Sequence, residues 1–324
     1  MKVVVIGLGS MGKRRIRLIQ KTDVEIDVIG VDGNEARCRE ANELYGIKTC
    51  ININDVKQDD VQCAFVCTSP LSHANIIEEC LNNGWHVFTE LNLVADKYKE
   101  NIQLAKEKNC TLFLSSTFFY REEISYIRKK IQGKDRLNYV YHIGQYLPDW
   151  HPWENYKDFF VGNERTNGCR EIMAIELPWL TETFGQIIDF NVIADKMSEL
   201  EINYKDNYMI QITHENGNKG ALIVDIVCPH AVRNLEIYGE NLYFSWNGNP
   251  TGLMEFDSET KAVNAVNLYS EVEQLDEYRS FVVENAYQNE IGEFFDVLNG
   301  KREQVYGFEK DMKILECIDK IERK

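Results

Sequence analysis

Four consecutive β-formers, Val3-Val4-Val5-Ile6, run straight into Gly7-Leu8-Gly9-Ser10-Met11-Gly12. An apolar run of that kind reads as a strand covered on both faces, as in a parallel sheet, and residues 13–21 behind it carry apolar positions at helical spacing. Glycines placed between such a strand and such a helix each have a purpose. Gly7 allows the tight turn, Gly9 lets a diphosphate approach the main chain, and Gly12 lets helix and strand pack closely, with Ser10 and Met11 completing the turn. The unpaired N–H groups and dipole of the helix start then favour the phosphates. A second strand, 26–31, leads to Asp32, twenty residues past Gly12, where a carboxylate accepts hydrogen bonds from ribose hydroxyls. The expected cofactor is NAD. The charge of Asp32 opposes the 2′-phosphate of NADP, although Arg37, five residues on, could reach one.

The pattern continues with apolar runs at 64–67, 86–89 and 112–114, separated by helical periodicity over 35–45, 71–83 and 98–108. Alternation of this kind defines an α/β, doubly wound parallel sheet of Rossmann type, assigned to residues 1–119. From there the pattern changes. A helix over 122–131 precedes a long alternating strand, 137–146, then a helix over 171–184 and alternating runs at 208–213, 221–227, 234–238 and 242–246 joined by polar turns. These predict a C-terminal α+β domain, 120–307, on an open, mainly antiparallel sheet. Helical periodicity returns at 284–298 and 309–322, and the final stretch, 308–324, is expected to pack back on the first domain.

The net charge of −16 opposes a nucleic-acid partner, and the basic cluster Lys13-Arg14-Arg15-Ile16-Arg17 reads as a solvated helix face. Nine cysteines, an odd number without a C-x-x-C pair, argue against a zinc site or a disulfide framework, so no metal is expected. The sequence carries no signal-peptide pattern or bilayer-spanning apolar run, which predicts a cytoplasmic protein without a membrane partner.

Beyond the glycine turn, the chain contains Cys67-Thr68-Ser69-Pro70-Leu71-Ser72-His73, Gly84-Trp85-His86-Val87-Phe88-Thr89-Glu90, and a helix ending Trp179-Leu180-Thr181-Glu182-Thr183-Phe184-Gly185. With these motifs the whole chain resembles the Gfo/Idh/MocA family of sugar and inositol dehydrogenases. The resemblance implies an NAD-dependent oxidoreductase acting on CH–OH groups, and a homodimer or homotetramer. It places Thr68, Ser69, Pro70 and His73 along the cofactor and Glu90 near the nicotinamide; on the residues alone, Pro70 could merely end a strand and His73 could face water. The departures are informative. The family's usual lysine after the glutamate is Leu91, and its helical aspartate and histidine fall on Ile172 and Ile175, leaving Glu176 in place. Hydride removal from an alcohol needs a base for the hydroxyl proton, so a different acid/base set is required. An NAD-binding protein that has lost redox chemistry is the alternative.

The segment Gln145-Tyr146-Leu147-Pro148-Asp149-Trp150-His151-Pro152-Trp153-Glu154-Asn155-Tyr156 supplies candidates. Aromatic faces suit a sugar ring, and loops of this kind occur in relatives that make surface sugars, so a sugar or nucleotide sugar is the expected ligand of Trp150, His151 and Trp153. Two readings of His151 stand: a replacement base, or a ring that satisfies a backbone carbonyl beside a hydrophobic plug. Glu171 and Glu176 lie about 140° apart on their helix, so they do not face one small site together, and one of them could pair with Arg170. Tyr120 and Arg121 could line a substrate cleft, with Arg121 holding an anionic group or a salt bridge between domains. The catalytic candidates are therefore His151, Glu90 and Glu176.

Overall fold

The structure is a computed structural model that describes residues 1–22, 25–57, 59–134, 136–152, 154–274 and 281–324. The chain forms two compact units, residues 1–116 with 287–313, and residues 117–286 with 314–324.

In the first unit, β1 (Lys2–Ile6), α1 (Ser10–Gln20), β2 (Asp27–Val31), α2 (Glu35–Tyr45), β3 (Lys48–Cys50), β4 (Cys63–Val66), α3 (Pro70–Asn82), β5 (His86–Thr89), α4 (Tyr98–Lys108) and β6 (Leu112–Leu114) alternate as expected. The six strands are all parallel, in the order β3-β2-β1-β4-β5-β6. Strand order reverses between β1 and β4, and ligands of doubly wound sheets bind outside the carboxyl ends of strands at such a point. Both the glycine turn and the Thr68-Ser69-Pro70 turn lie there. Val3, Val4 and Val5 are fully buried, as the central position of β1 demands. Phe65, Phe88 and Phe113 stack across β4, β5 and β6, and Phe294 of α7 (Glu284–Leu298) meets all three edge-on.

The second unit carries α5 (Glu122–Ile131), β7 (Asn138–Gly144), α6 (Gly168–Phe184) and the strands β8 (Ile187–Asp195), β9 (Asn207–His214), β10 (Lys219–Asp225), β11 (Val232–Gly239), β12 (Leu242–Trp246), β13 (Leu253–Phe256) and β14 (Val263–Ala265). They form an eight-stranded sheet, β14-β13-β12-β11-β7-β10-β9-β8, antiparallel except where β7 runs parallel to β10. Along β9, Tyr208, Ile210 and Ile212 are buried while Met209 between them is 50% exposed, the period-2 signature of a sheet with one covered face. Asn167 caps α6 by accepting a hydrogen bond from the Arg170 N–H, and the helix stops at Gly185, whose φ of +98° favours glycine. The last helix, α8 (Phe308–Glu322), begins in the first unit and ends in the second. None of the described helices is long and apolar enough to cross a membrane.

Candidate functional site

The glycine turn has the geometry that a dinucleotide requires. Gly7 has a φ of +93° and donates its N–H to the Val31 carbonyl at 2.8 Å. A methyl at Gly12 would lie 1.9 Å from the Gly7 oxygen, so the packing of α1 on β1 admits hydrogen alone. Gly9 differs, since a methyl built on it meets no atom within 4 Å. That cradle lies at the α1 N-cap, where the first turn contains no acidic side chain to occupy the helix dipole. Asp32 is fixed by two backbone N–H groups, Leu8 to Oδ2 and Asn34 to Oδ1, each at 2.8 Å. Each carboxylate oxygen keeps further acceptor capacity for ribose hydroxyls. Arg37 lies 3.7 Å from Asp32 Oδ2 with half its side chain in solvent. These residues fit NAD.

Across the switch point, Ser69 is exposed, Pro70 opens α3, and Thr68 accepts at Oγ1 from the Ser72 hydroxyl at 2.8 Å. His73 does not face water. It is 2% exposed, with Nε2 2.9 Å from the Thr68 carbonyl and Nδ1 2.6 Å from the Asn92 amide. Burial lowers its pKa, and its two ring nitrogens face two oxygens, the Thr68 carbonyl and Asn92 Oδ1. His73 therefore ties the Thr68 turn to the segment after Glu90.

The basic run is corrected by the structure. Arg14 and Arg15 are buried, and Arg15 reaches Glu90 at 2.5 Å, Glu290 at 2.6 Å and the Ser115 hydroxyl at 3.1 Å. Its spacing gave a signal, because Gly12, Arg15, Ile16 and Ile19 form one buried stripe at i, i+3, i+4 and i+7. Burial alone would lower the Arg15 pKa, but the two carboxylates raise it, so the guanidinium stays charged. Glu90 is consequently held as an ion-pair partner.

In the second unit, Arg121 is 2% exposed and turns onto Glu123 at 2.9 and 2.7 Å and onto the carbonyls of Phe281 and Gly248. These contacts hold the guanidinium within the second unit. Tyr120 closes a 3-10 turn (Thr117–Tyr120) and is partly exposed. Glu176 is fully buried and accepts from Tyr141 Oη at 2.8 Å and Trp179 Nε1 at 2.7 Å, with Arg233 2.9 Å from its other oxygen. Arg170 pairs with Asp319 and Glu322. Ile172 is buried and Ile175 partly exposed.

The aromatic loop builds a cleft of about 370 Å³, lined by Tyr146, Pro148, Asn155, Tyr156 and Lys157 and by residues 198–201. Tyr156 Oη accepts from the Glu201 N–H at 3.2 Å, and Lys157 pairs with the Glu201 carboxylate. His151 Nδ1 lies 3.1 Å from Glu154, and its ring packs on Phe159 with centroids 4.3 Å apart. Burial lowers the His151 pKa against the opposing pull of Glu154. Trp150 donates Nε1–H to the Gln145 carbonyl at 3.1 Å, Pro152 is exposed, and Trp153 lies outside the described residues. The sequence reading missed residues 198–201, which reach the loop from beyond β8 without any motif of their own.

A strand-glycine turn-helix at the switch point of a parallel sheet, with a carboxylate closing the second strand, defines a dinucleotide-binding oxidoreductase fold. Residues 1–116 match the GFO_IDH_MocA family model, described as an oxidoreductase family with an NAD-binding Rossmann fold. Human biliverdin reductase A is 26% identical over 209 residues, 64% of this chain and 64% of that protein's length. Among solved structures, UDP-N-acetylglucosamine 3-dehydrogenase from Acidithiobacillus ferrooxidans superposes with a TM-score of 0.77 at 16% identity, covering 100% of this chain and 97% of that one. Biliverdin reductase from Synechocystis gives 0.76 at 16% identity, covering 99% and 98%. At that identity the structural likeness speaks for the fold.

Proposed function

We propose that the chain is an NAD-dependent oxidoreductase that moves hydride between the nicotinamide and a CH–OH carbon of a sugar or sugar derivative. The observation that carries this reading is the cleft of the aromatic loop. Tyr146 and Tyr156 offer flat faces for a pyranose, and Asn155, Ser198 and the nearby carboxylates offer hydrogen-bond partners for its hydroxyls. The fold shared with a nucleotide-sugar dehydrogenase supports the same class. Within it, the lining favours a neutral or amino sugar over a diphosphate, because Lys157 is opposed by Glu199 and Glu201.

NAD supplies the hydride acceptor; Gly7, Gly9, Ser10, Met11 and Gly12 would hold its diphosphate, Asp32 its ribose, and Thr68, Ser69 and Pro70 would lie along it. His151 contacts the substrate in this reading. A second reading, an NAD-binding protein without turnover, draws on Leu91, Ile172 and Ile175, none of which can carry a proton. One experiment separates the two. The purified chain is supplied with NAD⁺ and NADP⁺, and NADH absorbance is followed against neutral sugars, amino sugars and nucleotide sugars, with NADH consumption followed on biliverdin. NADH formation with a neutral or amino sugar is expected. Cofactor binding with no turnover on any of them establishes the second reading, and turnover confined to biliverdin overturns the sugar class.

A further inference from the structure

The buried residues of α3 include Pro70, His73, Ile77 and Leu81, and an imidazole set in such an apolar stripe loses the hydration of two ring nitrogens. Both nitrogens are matched to oxygens. Nδ1 lies 2.6 Å from Asn92 Oδ1 and 3.4 Å from the Thr89 hydroxyl, while Nε2 lies 2.9 Å from the Thr68 carbonyl, an oxygen that can only accept. The ring thus joins the turn after β4 to the segment after β5.

The Thr68 turn bears directly on the glycine turn. A methyl built on Gly7 would lie 2.9 Å from Thr68 Cγ2 and 2.8 Å from the Cys67 carbonyl, so the two turns meet across the switch point without room for a side chain. Sheet order sets what the turn can touch. Asp32 closes β2 on one side of β1, and Thr68 follows β4 on the other. A dinucleotide with its adenosine ribose at Asp32 and its diphosphate at Gly9 therefore extends its nicotinamide half past Thr68. Thr68 is partly exposed and Ser69 fully so, whereas His73 is 2% exposed and can act only through them.

We propose that His73 is a positioning residue for the nicotinamide half of the cofactor, an inference that rests on the placement of NAD given above. By tying the Thr68 carbonyl to Asn92, the ring holds the Thr68-Ser69-Pro70 turn in place beside the glycine turn. A leucine would fill the same stripe but leave the turn untied. The adenosine half is independent of this brace, because Asp32 is fixed by the N–H groups of Leu8 and Asn34 and neither bond involves α3.

Calorimetric titration of the full chain with NAD⁺ and with ADP tests this, because ADP carries the adenosine and diphosphate without the nicotinamide. H73L removes both ring contacts, H73N keeps an N–H only at the Nδ1 position, and H73Q returns one at the Nε2 position. H73L and H73N should bind NAD⁺ about tenfold or more weakly, and H73Q should recover to within about threefold of wild type. All three should bind ADP as wild type does, which also shows that they fold. If H73L does not fold, N92L frees the ring from its other end and should weaken NAD⁺ while sparing ADP. NAD⁺ affinity within about twofold of wild type in H73L (or in N92L where that variant replaces it), parallel loss of NAD⁺ and ADP in a folded variant, or H73Q no better than H73L overturns this assignment alone. Absence of NAD⁺ binding by wild type overturns the cofactor placement and this assignment with it.

Discussion

A guanidinium enters a protein interior only where carboxylates meet it, and Arg15 is fully buried between Glu90 and Glu290. Removing the cation while leaving both acids in place exposes their mutual repulsion in a poorly solvated site, and burial already raises the pKa of Glu290 against the pull of Arg15. We expect Arg15→Met to cost about 3–5 kcal/mol, read as a lower urea midpoint, with less than about 1 kcal/mol contradicting the account. The sequence reading put this arginine on a solvated face, although its spacing falls within a helical apolar stripe. Its partner was not legible, because Glu290 lies 275 positions away and only the folded chain brings the two together.

The elements were far more legible than their pairings. Strand β5, helix α2 and helix α5 fall on the residues that their periodicity marks, since repeats of 2 and 3.6 survive any tertiary context that buries one face. The short strands β3, β13 and β14 were missed because three or four residues hold too few repeats to show a period. The edge strand β8 was missed too, its burial alternating only between half-buried and exposed. The parallel pairing of β7 with β10 depends on chain path and has no local signature. The glycine turn was legible as an element, and its two inner glycines should separate experimentally. Gly12→Ala pushes a methyl onto the Gly7 carbonyl and should cost about 1–3 kcal/mol in thermal unfolding. Gly9→Ala enters open space, so stability should hold within about 0.5 kcal/mol while NAD⁺ affinity falls about tenfold or more. Equal effects on folding at the two positions would contradict the cradle.

For the molecule as a whole, composition and motif spacing reached the fold class and the cofactor, while the cleft of the second unit came from two segments that no motif links. Residues 146–157 were marked by their aromatics, whereas Glu199 and Glu201, which add the acidic lining, carry no motif. The cofactor claim underlies every later step and is tested most directly by calorimetric titration of the full chain with NAD⁺ and NADP⁺, in wild type and Asp32→Ala. The account predicts one NAD⁺ site per chain, about tenfold or more tighter than NADP⁺, with that preference lost in Asp32→Ala. Equal or tighter binding of NADP⁺ by the wild type, or no heat with either nucleotide, would contradict it.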